Sequence, residues 1–268
     1  MRAKKVSLYS LTGFSKNNLQ LLRLLIQQEL TLRYKRSVIG IGWTLLNPML
    51  TSFVLWIVFS FLFAGKLQTG QQFAPYLMAG ILLNTFFNQG LLQSANSIAA
   101  NGGILTKVSV PPKIFAFAAS LAAFINFLIG LVPLTLVVYI SGQSLSFFLP
   151  IVLLVGFFLA LFVAGVGLAL SVIFIRFDDA KNIINVLLLI LLYLTPVFYP
   201  ISILNERMQQ IVSLNPLTSF LDVFRWSFSN NATATPADFI YLSLTGIIFF
   251  SLGNFIFKRY WPRTVSML

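Results

Sequence analysis

The chain has 268 residues, of which 58% are apolar and only 9% charged, against about 25% charged in an ordinary soluble domain. It holds no cysteine and no histidine, so nothing in it can form a disulfide, and the commonest metal ligand and catalytic base is missing. The net charge of +12 raises nucleic acid as a partner, but the cations cluster at the ends of apolar segments, which reads as membrane topology and lipid contact instead.

Ionised side chains are absent from residues 37–65, 67–106, 114–175, 182–205 and 239–257. Each gap accommodates a helix of about 20 residues, enough to cross a bilayer. The longest is interrupted at Ser141-Gly142-Gln143-Ser144 and reads as two helices. Six spans are therefore predicted, over 42–64, 73–95, 114–140, 147–175, 182–199 and 239–257, the fifth being short. The predicted fold class is an all-α integral membrane protein with one transmembrane domain over 1–268. Its parts are a cytoplasmic N-terminus (1–14), an amphipathic interfacial helix (15–36), the six-helix membrane domain (42–257) and a cytoplasmic tail (258–268). The first strongly apolar span begins only near residue 41, too late for a cleavable signal peptide. With loops assigned alternately to the two sides, 15 of the 18 Lys and Arg fall on one side and three, Lys66, Arg207 and Arg225, on the other. The positive-inside rule then places both termini in the cytoplasm.

In residues 15–36, Leu21, Leu22, Leu25 and Leu32 recur at helical spacing among Arg23, Gln27, Gln28, Glu29, Arg33 and Lys35. This pattern predicts an amphipathic helix in the membrane surface, with a plain extension of the first span as the alternative. In the loop 96–113, Gly102-Gly103 is expected to break any helix and Pro111-Pro112 to stop one. Ile104, Leu105 and Val108 lie between these breakers, and exposed apolar residues there mark either a partner contact or an ordinary connection. The segment 200–238 is too long for a structureless loop and carries apolar stretches at Ile211–Leu214 and Phe220–Phe228. Short external helices that partly re-enter the membrane are expected.

Several chemistries are missing. The P-loop pattern G-x-x-x-x-G-K-[ST] does not occur, since the single Gly-Lys pair, Gly65-Lys66, has Ser60 in place of the first glycine and Leu67 after it. The predicted spans hold no Asp, Glu, Lys, Arg or His, which argues against a proton-coupled carrier. Asp178-Asp179 raises a metal-dependent membrane transferase, but no second acidic cluster accompanies the pair on that side, and a solvated loop explains it as well. No catalytic or metal site is assigned.

Four stretches resemble a known family. They are Arg33-Tyr34-Lys35-Arg36-Ser37-Val38-Ile39-Gly40 with Trp43, Leu46 and Pro48; Ile104-Leu105-Thr106-Lys107-Val108 with Pro111-Pro112; Thr195-Pro196-Val197-Phe198-Tyr199-Pro200; and Asn215-Pro216-Leu217-Thr218 with Arg225-Trp226. In order and topology these resemble the ABC type 2 exporter permeases, in the branch that exports lipid-linked polysaccharides: the O-antigen (Wzm-like), capsule and teichoic-acid permeases. The chain departs from that pattern at Asp178, where relatives often carry a basic residue, and at Ser219, where many have proline.

The resemblance implies a bacterial cytoplasmic-membrane permease that forms a homodimer. It implies no cofactor on this chain, with ATP and Mg²⁺ held by a separate ABC ATPase dimer. Ile104, Leu105, Lys107 and Val108 would meet that ATPase. A polyprenyl-diphosphate-linked glycan would enter past Arg33, Tyr34, Lys35, Arg36 and Trp43, where arginine suits phosphate oxygens; the alternative is that these cations only set topology and bind anionic lipid. Trp56, Phe59, Phe63, Tyr76, Phe86, Phe87 and Phe198 are candidates to line a path for sugars, with helix and lipid packing as the competing role. The same architecture moving a lipid or small amphiphile is the alternative function, and a membrane-embedded transferase a further one.

Overall fold

Lipid leaves a backbone amide no partner outside its own chain, so a spanning segment of this composition has to be helical. The computed structural model describes residues 16–32, 40, 42–63, 73–108, 110–142, 148–228 and 234–267, and every regular element among them is a helix. In chain order they are α1 (Lys16–Leu32), α2 (Gly42–Phe63), α3 (Phe73–Ala100), α4 (Gly102–Leu105), α5 (Lys113–Ile140), α6 (Leu149–Arg176), α7 (Ala180–Leu194), α8 (Glu206–Ser213), α9 (Pro216–Trp226) and α10 (Pro236–Thr264). Two 3₁₀ turns, Ile201–Ile203 and Val265–Met267, complete the set.

Each of the six predicted apolar segments is helical. Three of the helices, α5, α6 and α10, are long and apolar enough by themselves to cross a membrane. The apolar stretches in α2 and α7 are shorter, Leu45–Val58 and Ala180–Leu194. α3 has 28 residues but interrupts its apolar ones with Asn84, Thr85, Asn88, Gln89, Gln93, Ser94 and Asn96. It is nevertheless well enclosed, packed against α5, α6 and α2, with Leu77, Met78 and Ala79 fully buried.

The boundaries differ from expectation at four places, the first being α3, which continues past 95 to Ala100. The fifth segment leaves the helix at Thr195 (φ −96°, ψ 135°), not at Tyr199, because the ring of Pro196 disfavours helical geometry in the residue before it. Gly102-Gly103 does not break the chain. The break falls one residue earlier, at Asn101 (φ −105°, ψ 17°), and the two glycines open α4. At the C-terminal end, α10 continues past Lys258 to Thr264, so most of the predicted tail is helical. There Trp261 stacks on Phe257 at 5.0 Å.

α1 packs on α5 and buries Leu25 in a cluster that also holds Phe115 and Ala118 of α5, Leu168 of α6 and Trp261 of α10, with Leu21, Leu22 and Ile26 at its edge. Its predicted apolar face exists, and protein covers it. Leu19 and Leu24 remain exposed on the other face.

The most extensive helix pair is α6 with α10. Lipid tails are as apolar as leucine, so helices in a membrane gain little from hiding apolar surface and associate by close packing. Here the backbones come together at glycines. A Cβ on Gly253 would lie 1.8 Å from the Gly165 carbonyl oxygen, and one on Gly246 would lie 2.7 Å from the Phe158 carbonyl oxygen. Neither obstacle is a flexible side-chain tip, so α10 would have to move. Gly253→Val is expected to destabilise the protein by about 1–3 kcal/mol, read as a lower thermal midpoint in detergent. Gly103→Ala, where nothing lies within 4 Å, should leave that midpoint near its starting value.

Candidate functional site

Polar residues spaced four apart share one face of a helix. α2 carries Trp43, Asn47 and Thr51 in that register, and α3 carries Thr85, Gln89 and Gln93. These two stripes line a cavity of about 540 Å³ with Asn126 and Phe127 of α5. None of its lining residues is ionisable; the donors and acceptors are amides and hydroxyls, with aromatic rings beside them. Trp43, 43% exposed, stands at the N-terminal end of α2. The Asn126 Oδ1 atom is buried without a hydrogen-bond partner, as are the Oδ1 atoms of Asn84 and Asn88 on α3.

A second arrangement lies where α7 ends. Beyond the end of α7 the backbone carbonyls have no helical partners, and once buried they need donors. Arg225 of α9, 5% exposed, supplies them. Its Nη1 donates to the Pro196 carbonyl at 2.9 Å, and its Nη2 to those of Tyr76 at 3.0 Å and Val197 at 3.2 Å. The guanidinium centre lies 3.4 Å from the centroid of the Tyr76 ring, a geometry in which the ring face attracts the cation. The Tyr76 hydroxyl donates to the Tyr199 carbonyl at 2.8 Å and the Pro196 carbonyl at 3.2 Å. Asn215, which caps α9 by accepting from the Leu217 amide at 3.1 Å, donates to Thr195 Oγ1 at 2.8 Å. Gly80 makes room for the clamp, since a Cβ there would meet Val197 at 2.9 Å and Arg225 Nη2 at 3.1 Å.

The residues singled out by sequence are distributed as follows. Arg33, Tyr34, Lys35 and Arg36 lie outside the described residues, as do the side chains of Phe59 and Phe63. Trp43 lines the cavity. Trp56 is exposed on α2 beside Phe53, with ring centroids 6.2 Å apart. Tyr76 belongs to the Arg225 clamp. Phe86 is buried beside Phe127 at 5.2 Å and forms part of the cavity wall, whereas Phe87 is buried against Phe162 at 5.3 Å. Phe198 is half-buried near Tyr193. In and after α4, Ile104 (42%), Val108 (52%) and Lys107 are exposed, while Leu105 packs against the cluster that holds Leu25 and Ile114. Sequence reasoning overlooked Asn47, Thr51, Thr85, Gln89, Gln93 and Asn126. Their four-residue spacing within apolar segments was the available signal.

The ABC-2 type transporter family model matches residues 20–229, more than three quarters of the chain. The chain belongs to the ABC-2 type transporter family. Its relatives include the O-antigen export system permease protein RfbA of Klebsiella pneumoniae, 25% identical over 253 residues, covering 92% of this chain and 95% of the relative. The protein of that name in Myxococcus xanthus is 26% identical, covering 87% and 90%. The capsule polysaccharide export inner-membrane protein BexB of Haemophilus influenzae is 24% identical, covering 88% and 89%.

Within this ABC-2 type transporter chain, the matched residues take in the cavity, α4 and the Arg225 clamp. The clamp brings together two of the stretches that carried the resemblance, 195–200 and 215–226. Arg225→Met keeps the length of the side chain but removes the guanidinium bonds to three carbonyls. Hydrogen bonds to a charged group contribute about 1.5–3 kcal/mol each. The variant is expected to expose the 195–200 segment to limited proteolysis at least tenfold faster than the parent, since about 1.4 kcal/mol is a factor of ten.

Proposed function

We propose that this chain is the transmembrane permease subunit of an ATP-driven exporter that moves a polyprenyl-diphosphate-linked polysaccharide across the bacterial cytoplasmic membrane. The observation that carries the reading is the match, along about nine tenths of both chains, to permeases named for O-antigen and capsule polysaccharide export. The 268 residues hold no P-loop, so force comes from a separate ABC ATPase, which binds ATP and Mg²⁺.

The working assembly in this reading is two copies of the permease with two of the ATPase. Twofold pairing is the commonest oligomer, and a path between two copies is easier to build than a wide pore inside one small bundle. α7 touches α3 and α6 only slightly and leaves Ile183, Leu187 and Ile190 exposed, surface available to a second copy or to lipid. The ATPase docks on the cytoplasmic face at Ile104, Lys107 and Val108, the open side chains of α4 and the turn after it. The cations at 33, 35 and 36 receive the diphosphate. All six apolar helices span, with α8 and α9 re-entering from the outside.

Deleting the gene should leave polymer inside the cell and abolish its surface display, scored by immunoblotting with intact-cell labelling. Restoring the gene with Ile104→Asp should return an inserted protein without export, since an unpaired charge in an apolar contact costs about 3–5 kcal/mol. Normal surface polymer in the deletion strain would refute the function. Normal export by Ile104→Asp would refute the docking site. Topology is checked separately on the native cysteine-free background. A cysteine at Met208 should react with an impermeant maleimide on intact cells, and one at Lys107 only after the membrane is opened; the reverse pattern would invert the orientation.

A further inference from the structure

Amides and hydroxyls inside an apolar helix cost insertion energy, and where they occur in membrane proteins they face a cavity or one another. α2 and α3 each hold such a stripe, and the two stripes meet across the cavity of about 540 Å³. That size falls within the roughly 300–1,000 Å³ of small-molecule sites. What fills the cavity has to satisfy its chemistry. A lipid tail would leave the amides of Asn47, Gln93 and Asn126 and the hydroxyls of Thr51 and Thr85 unpaired, each at a desolvation cost. An anionic group would find no cation among the lining residues and would stand as an unpaired charge. A polyhydroxylated neutral ring fits both constraints. Each sugar hydroxyl donates and accepts, and an Asn or Gln side chain offers two donors beside an acceptor. Trp43 and Phe127 add aromatic surface for the C–H face of a ring.

We infer that the cavity between α2, α3 and α5 is a binding site, within a single protomer, for one or two uncharged sugar residues. It rests on the proposed export of a glycan and adds a preference, for neutral over acidic sugars, held by amide side chains of one copy. The aromatic residues that sequence pointed to are secondary in this site: Phe86 forms wall, and Phe87 packs into the protein interior.

The test uses the full chain, purified and reconstituted in nanodiscs, with single cysteines replacing Ile81 or Ala123, apolar residues of the cavity wall. Alkylation by iodoacetamide, a small neutral reagent, is followed by mass spectrometry with and without maltotriose, mannotriose or trigalacturonic acid. Both cysteines should react. At twice its dissociation constant a neutral trisaccharide should slow the reaction about threefold, and trigalacturonic acid should not. Adding Asn47→Leu and Asn126→Leu to the Ala123→Cys protein, changes that favour membrane insertion, should remove the protection. Three results would each overturn the site: cysteines closed to the reagent without sugar, no protection by either neutral trisaccharide (a cavity that holds water alone), or equal protection by the acidic one. Because occupancy is read on the isolated chain, its failure is separate from failure of the exporter reading, which the deletion strain decides.

Discussion

Hydrocarbon offers no hydrogen bond to a polar group, and this one condition orders the molecule. A donor or acceptor placed among the helices has to be matched by another part of the chain. Ser120 of α5 donates to the Ala160 carbonyl of α6 at 2.7 Å, and Ser94 of α3 to the Ala116 carbonyl of α5 at 3.1 Å. Arg225 serves the same need with a full charge, meeting the carbonyls released where Pro196 ends α7. The rule is relaxed at a few atoms: Ser52 Oγ, the Oδ1 atoms of Asn84, Asn88 and Asn126, and Arg225 Nε are buried without a partner. The cavity answers it differently, by gathering amides and hydroxyls of α2, α3 and α5 around one space.

The second consequence concerns how helices hold together. Burying leucine against leucine gains little when the alternative is lipid, so contact area and fit decide. Glycines at 165, 246 and 253 let α6 and α10 approach to backbone contact. With α3 and α5 beside them, these helices form the firm part of the bundle. α2 is set more loosely against α3 and α5, with Phe53, Val54 and Ile57 exposed, and its polar stripe borders the cavity. The rigid region therefore holds one wall of the cavity while a less embedded helix supplies another.

Much of the fold was legible because it depends on local chemistry. Charge-free runs marked the helices, the leucine period marked α1, and proline chemistry explains why α7 stops. What escaped depends on convergence in space. Arg225 counted in the sequence as one of three cations in external loops, yet it is buried under Tyr76, 149 positions away. Leu105 stood beside Ile104 and Val108 in one apolar cluster, and only the turn of α4 shows that it faces inward. The aromatic candidates were conspicuous by residue type, whereas Asn47, Gln93 and Asn126 were inconspicuous among ordinary polar residues until three helices placed them around one space.

α10 has 29 residues without interruption, a rod of about 44 Å at 1.5 Å per residue. One end carries Trp261 among the residues that receive α1. Near the other, Phe239 meets Trp226 edge-on at 5.8 Å and the Tyr241 hydroxyl reaches the Leu214 carbonyl at 3.2 Å, next to the hairpin of α8 and α9. A stiff rod works as a lever. A tilt of about 5° at Gly253, 17 residues from the Pro236 end, would displace that end by about 2 Å. The rod therefore joins, in one rigid piece, the cluster that includes Leu25 of α1 to the hairpin that carries Arg225.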